Sequence, residues 1–302
     1  MREAITQSEL STFSRCEERH NLRYNKLLVP FQEHPALKMG SAFHAGIEYQ
    51  SVDAALERLR GPDPMWSLFE GPAAVVREAT VSAMVTGALA RWDVWPEVHE
   101  LGFSLPLINP ATGRMSRRHG LQGVIDGVWQ FTHPDYGDEV VLGEWKTAAQ
   151  VSDEYMQRLE IDFQVSTYLW AASRYYGRPV RRVIYRVVKK PTIRQKKTEE
   201  LDDYVDRLKL DYMERPDHYY FETVVERTDE QLSNWAEQAW ATHQRILQIR
   251  NGATAIRSTQ SCLNRGRCPY FDLCVGAVTR DAFKVLEQRH TELKENNNEL
   301  NT

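Results

Sequence analysis

The run VVLGEWKTA, residues 140–148, places Glu144 and Lys146 two residues apart at the end of an apolar β-type stretch. Alternate side chains of a strand face the same way, so the carboxylate and the ammonium share one face, about 7 Å apart along the chain. Withdrawing such charges from water is costly unless each finds a partner. A second acid stands one hairpin upstream. In LQGVIDGVWQF (121–131), Asp126 falls on the face opposite Leu121, Ile125, Trp129 and Phe131, between two glycines that weaken a strand. Neighbouring strands of a meander would let Asp126 and Glu144 converge, and two close carboxylates repel unless a cation lies between them. Mg²⁺ or Mn²⁺ takes oxygen ligands of this kind. A lysine on the same face can orient a water or stabilise charge developing on a phosphate. The alternative is a plain ion pair at a strand end, Glu144–Lys146 or Asp126–Lys146.

The elements that must hold these residues follow from periodicity and turn signals. Helical spacing runs through 6–27 (Leu10, Phe13, His20, Tyr24, with Ser8 as a cap), 38–60 (Phe43, Ile47, Ala55, Leu59) and about 73–95, with a Pro/Gly-rich connection at 61–72. Short β-type runs follow at 102–108, 120–131 and 139–147, separated by turn residues. A helix over 155–176, a strand over 181–190 and helices over 199–214 and 228–250 complete the pattern. The order describes an α/β core, a mostly antiparallel meander wrapped by helices. Residues 1–285 read as one domain and 286–302 as a disordered polar tail.

A composition of 42% hydrophobic and 26% charged residues gives a globular protein with enough apolar residues for a substantial core. The polar start of the chain has no apolar leader and no stretch reads as a membrane span, so the expected compartment is the cytoplasm. The net charge of −4 argues against a protein that coats nucleic acid non-specifically. Residues 178–197, however, hold five Arg, four Lys and no acid. A basic strip on an acidic body suits an anionic polymer held at one place, or a charged, solvated edge strand. Cys16 stands far from Cys262, Cys268 and Cys274, whose C-x₅-C-x₅-C spacing differs from the usual zinc pairs.

Asp126 followed by Glu144-Trp145-Lys146 resembles the PD-(D/E)XK nuclease signature, an Asp followed one hairpin later by (D/E)-x-K. MGSAFHAGIE (39–48) resembles the G-x-x-x-H helix of the RecB-like branch, which puts His44 at its metal-ligand position, and FQVSTY (163–168) resembles that branch's Q-x-x-x-Y motif at Gln164 and Tyr168. The resemblance implies a restriction-endonuclease-like fold, a central mixed sheet wrapped by helices. It implies that His44, Asp126, Glu144 and the carbonyl of Trp145 bind Mg²⁺ or Mn²⁺, that Lys146 positions the attacking water, and that in-line attack on phosphorus releases a 3′ oxygen. Gln164 and Tyr168 would support the site or hold the strand, and the 178–197 strip would contact phosphates. One early and three late cysteines are similar to the arrangement in iron–sulfur members such as the AddB nuclease domain and CRISPR-adaptation exonucleases. That implies a [4Fe–4S] cluster on Cys16, Cys262, Cys268 and Cys274, tying the first helix to the last loop. Reduced, buried cysteines behaving as small apolar groups are the alternative.

Two functions of different class follow. The first is a stand-alone metal-dependent DNA exonuclease, rather than an endonuclease, acting on single strands or free ends in recombination, repair or phage DNA processing. No G-x₄-G-K-[ST] is present, so unwinding would fall to a helicase or recombination partner. The second is a catalytically silent DNA-end-binding accessory protein with the same fold. A cysteine redox or zinc module is disfavoured because no C-x-x-C occurs.

Overall fold

A computed structural model describes residues 2–31, 35–62, 71–133, 137–264, 266–290 and 293. Strand β1 (Glu3–Thr6) ends in a cap, where the Thr6 hydroxyl accepts from Glu9 N and starts helix α1 (Gln7–Arg15). The helix expected over 6–27 breaks at Cys16, whose backbone is extended and whose Sγ accepts from Arg19 N to start α2 (Glu17–His20). A π-turn at Asn21–Asn25 leads to β2 (Leu28–Pro30). The helix expected over 38–60 is likewise two, α3 (Pro35–Glu48) and α4 (Val52–Arg60), divided at Gln50 (φ 47°) and re-initiated by the Ser51 cap. Helix α5 (Pro72–Arg91) follows, and part of the expected 61–72 connection lies outside the described residues.

Then come the long strands β3 (Val98–Ile108), β4 (Met115–His133) and β5 (Gly137–Ala148). The expected 155–176 helix divides into α6 (Asp153–Leu159) and α7 (Phe163–Tyr175), because the Asp162 carboxylate accepts from Gln164 N and Val165 N and opens a new helix. Strand β6 (Arg182–Lys189), helices α8 (Leu201–Glu214) and α9 (Pro216–Tyr219), strand β7 (Tyr220–Glu226) and helix α10 (Asp229–Arg250) follow. A Thr228–Gln231 capping box opens α10. The short α11 (Phe271–Cys274) and β8 (Phe283–Val285) come last.

One six-stranded mixed sheet runs β1-β4-β5-β6-β7, with β3 on the other edge of β4. The 19-residue β4 is long enough to pair with β1 near its start and with β5 farther along. The β1–β4 and β5–β6 pairs are parallel, and the rest are antiparallel. Two cores cover the two faces. One joins α1, α7 and α10 to Leu121, Val140 and Leu142, and the other joins α3, α4, α5 and α8 to Trp129 and Trp145.

Helix α5 is long and apolar enough to cross a membrane by length and composition, although Arg77, Glu78 and Arg91 leave it short of an uncharged span. Here its Val81, Met84, Val85 and Ala88 are buried in the second core. The Tyr220 hydroxyl donates to Ala83 O at 3.0 Å and fills the space beside Gly87.

The early and late parts of the sequence meet in a small third core of Leu22, Leu28, Tyr270 and Phe283. Strands β2 and β8 pair antiparallel, and Tyr270 Oη donates to Leu28 O at 2.7 Å. Ordered chain continues past 285, into the expected tail: Leu286 N donates to Leu27 O at 2.9 Å and Arg289 Nε to Tyr24 O at 2.9 Å. Residues 294–302 lie outside the described residues.

Candidate active site

The site grows from a matched irregularity in β3 and β4. Val98 and Leu101, three positions apart, both pack on the first core, and so do Ile125 and Val128. Strict alternation would require an even spacing. The strand register sets His99 against Gly127 and Leu101 against Ile125, so the two breaks lie opposite each other at Glu100 and Asp126. Glu100 has φ 50°, a left-handed conformation costing a non-glycine residue roughly 1–2 kcal/mol. Both strands change face there, and two acids project from the step.

On the next strand, Glu144 lies one step beyond the paired Gly127 and Gly143. These glycines receive indole rings. A Cβ at Gly127 would come within 2.8 Å of Pro96 Cγ and Trp145 Cζ3, and one at Gly143 within 2.6 Å of Trp145 Cζ3. Asp126 Oδ2 accepts the Trp145 backbone N–H at 2.9 Å, fixing the two motif strands to each other. Helix α3 brings His44 Nδ1 to 3.6 Å from the same oxygen. His44, Glu100 and Asp126 each offer one ligand atom, and these atoms lie within 4.8 Å of one another. Burial lowers the His44 pKa, opposed by Asp126, so the ring tends toward the neutral form that binds cations.

Glu144 is 1% exposed. Its Oε1 pairs with Lys146 Nζ and accepts from Gln164 Nε2 at 2.8 Å, while Oε2 is buried without a hydrogen-bond partner among the described residues. Gln164 Nε2 also donates to Tyr168 Oη at 3.2 Å, so Tyr168 reaches the carboxylate only through Gln164. Burial, then Asp126, raises the Glu144 pKa, and Lys146 opposes this only in part. For Lys146 burial would lower the pKa, but Glu144 and Asp126 outweigh it and keep the ammonium charged. Burial also raises the Tyr168 hydroxyl well above its usual range.

His44, Asp126, Glu144, Lys146, Gln164 and Tyr168, scattered over 125 positions of sequence, thus meet in one place, and Glu100 joins them. Sequence reasoning misses Glu100 because it starts that strand at 102. Behind the site, Arg186 stands opposite Trp145 on β6 and is 4% exposed. Its guanidinium lies 4.9–5.7 Å from the rings of Trp92, Trp95, Trp129 and Trp145. Its Nε donates to Glu222 at 2.7 Å. This aromatic box holds the residue between Glu144 and Lys146 in place.

One expectation is narrowed by the structure and another finds no support in it. Of the nine basic residues in the 178–197 strip, three pair with acids distant in sequence: Arg181 with Asp229, Arg182 with Glu139 and Glu226, and Arg186 with Glu222. The [4Fe–4S] expectation gains no support, because the four cysteines are free thiols not gathered into one close ligand set. Cys16 Sγ accepts from Arg19 N and Ser258 N, and Cys262 Sγ donates to Ser258 O. Ordinary polar contacts tie the early helices to the late loop instead. Arg245 bridges to Glu17, Ile256 N donates to Glu17, and Ser261 Oγ donates to Arg15 O.

A search of the curated proteins finds no match. Among solved structures, a candidate exonuclease from Eubacterium rectale is similar at 11% identity and a TM-score of 0.50, over 92% of this chain and 89% of that one, a likeness of fold. The model of the PD-(D/E)XK nuclease superfamily matches residues 4–275, a span that takes in α3, β3 to β5 and α7 and so every residue of the site. The chain belongs to the PD-(D/E)XK nuclease superfamily.

Proposed function

We propose that the chain is a metal-dependent DNA exonuclease. The observation that carries this reading is the convergence of His44, Glu100 and Asp126 ligand atoms beside a buried Glu144 with an unpartnered oxygen. An imidazole and several carboxylates in this arrangement suit Mg²⁺ or Mn²⁺. In this reading His44, Glu100 and Asp126 hold the ion, and Glu144 supplies a further oxygen. When bound, such an ion offsets phosphate charge and lowers the pKa of a water. Lys146, kept charged by its acidic neighbours, holds the attacking water and offsets charge on the phosphate oxygens as the bond to the 3′ oxygen breaks. Gln164 and Tyr168 fix Glu144, and the Arg186 box fixes Trp145.

Exonuclease action is supported by the fold likeness to a candidate exonuclease. One observation favours the silent end-binding reading: Glu144 and Lys146 pair with each other. The unpartnered Oε2 and the three converging ligand atoms stand against it. The test is digestion of end-labelled linear DNA and of circular DNA, single- and double-stranded, with Mg²⁺ or Mn²⁺. Trimmed linear and intact circular DNA is the expected result. Cut circles would make the enzyme an endonuclease, and binding without cleavage of any substrate would establish the silent reading.

A further inference from the structure

Toward the start of β4, away from Asp126, lies a cavity of about 400 Å³ that the catalytic reading does not use. His119, which lines it, lies seven positions before Asp126, about 23 Å along the strand. Lys26, Arg118, Arg250 and Arg289 line it with Glu3, four cations against one carboxylate.

Two of the guanidiniums are already fixed. Arg250 donates from Nε to Asn25 Oδ1 at 3.1 Å and from NH2 to Glu9 Oε1 at 2.8 Å, and its NH1 meets His119 Nε2. Arg289 donates to Tyr24 O at 2.9 Å and to Glu3 at 3.0 Å. Lys26 and Arg118 are exposed at the rim and have no carboxylate partner among the described residues. His119 is 1% exposed. Its Nε2 accepts from Arg250, which leaves the hydrogen on Nδ1, a buried donor without an acceptor among the described residues.

We propose that this cavity is a noncatalytic binding site for a phosphate group, closed by Lys26 and Arg118 against the fixed guanidiniums of Arg250 and Arg289. Guanidiniums held in place before binding lose little freedom when they meet phosphate oxygens. The cavity is larger than one phosphate needs, which suits a phosphate carrying a nucleoside. The source is a nucleic-acid strand or a free nucleotide, and the site stands whether or not the nuclease reading holds.

The test compares the wild-type chain with Lys26→Glu/Arg118→Glu, both exposed and outside the catalytic set, in EDTA. Calorimetry with deoxyadenosine monophosphate should show saturable binding to the wild type and to Asp126→Ala, weakened about tenfold or more in the double variant. In parallel, a labelled oligothymidylate is titrated across salt concentrations. Loss of two strand-phosphate contacts lowers the slope of log affinity against log salt by about 1.4. A lowered slope identifies the ligand as strand phosphate. An unchanged slope with weakened monophosphate binding identifies a free nucleotide. The proposal is overturned if the double variant, with unchanged melting, binds both probes as the wild type does. Should the double variant unfold, Arg118→Gln alone is read by the same two measurements.

Discussion

Glu9 and Glu144 are both glutamates with almost no exposure, 0% and 1%, and the protein treats them oppositely. Around Glu9 the partners are supplied by the chain. His20 Nε2 and Arg250 NH2 each lie 2.8 Å from Oε1, and His290 Nε2 stands 3.1 Å from Oε2 without hydrogen-bond alignment. Burial works to raise the Glu9 pKa, but the bond from His20, the nearby His290 ring and the charge of Arg250 outweigh it and hold it low. Around Glu144 the compensation is incomplete. A second acid, Asp126, stands close by, one oxygen has no partner, and the pKa moves upward. Glu9 has a guanidinium against its carboxylate and no second acid beside it, whereas Glu144 shares one ammonium with Asp126, an imbalance that a bound cation would relieve.

The largest expected difference is catalytic. Lys146→Ala should lower cleavage about 10³-fold while melting and EDTA-phase DNA binding hold, and undiminished cleavage would end the assignment. Glu9→Gln should do the reverse. Removing one member of a buried ion cluster costs roughly 3 kcal/mol of stability, read by urea unfolding, with the cleavage rate per folded molecule unchanged.

The smallest effect is also the sharpest, because its sign differs between the two residues. The folded pKa of Glu9 is depressed below its ordinary 4.5, so its contribution is present above that value and lost as pH falls. That of Glu144 is raised above 4.5, so its contribution is present at acid pH and lost as pH rises toward neutral. In EDTA, unfolding from acid to neutral pH should show both limbs. Glu9→Gln flattens the acid limb and Glu144→Gln the neutral one, and saturating Mg²⁺ offsets the neutral loss in the wild type. Limbs that ignore these substitutions would remove the contrast.

Much of the frame was legible because periodicity is local. The long strands and most helices lie where spacing puts them, within a few residues, and Asp126 and Glu144 fall on neighbouring strands. What escaped depended on partners far away in sequence or on backbone geometry. Strands β1, β2, β7 and β8 are short, and their pairing partners are often distant. Glu100 announces itself only through a left-handed φ and a register opposite Asp126. Three arginines of the 178–197 strip have acid partners that the local sequence does not show, because Glu139, Glu222, Glu226 and Asp229 come from other segments. Ser51 and Asp162 were readable as caps, and their side-chain bonds explain why two apparent long helices are four.

The β2–β8 pair has a consequence in time. Residues 28–30 bond to residues 283–285, so during synthesis β2 must wait for almost the whole described chain before it finds its neighbour. Closing so long a loop costs only logarithmically more than closing a short one, but contacts this distant form slowly. Until then the Tyr270 hydroxyl has no Leu28 carbonyl to meet, and the last apolar patch stays wet. The nascent nuclease can assemble its catalytic sheet first and fasten this corner last.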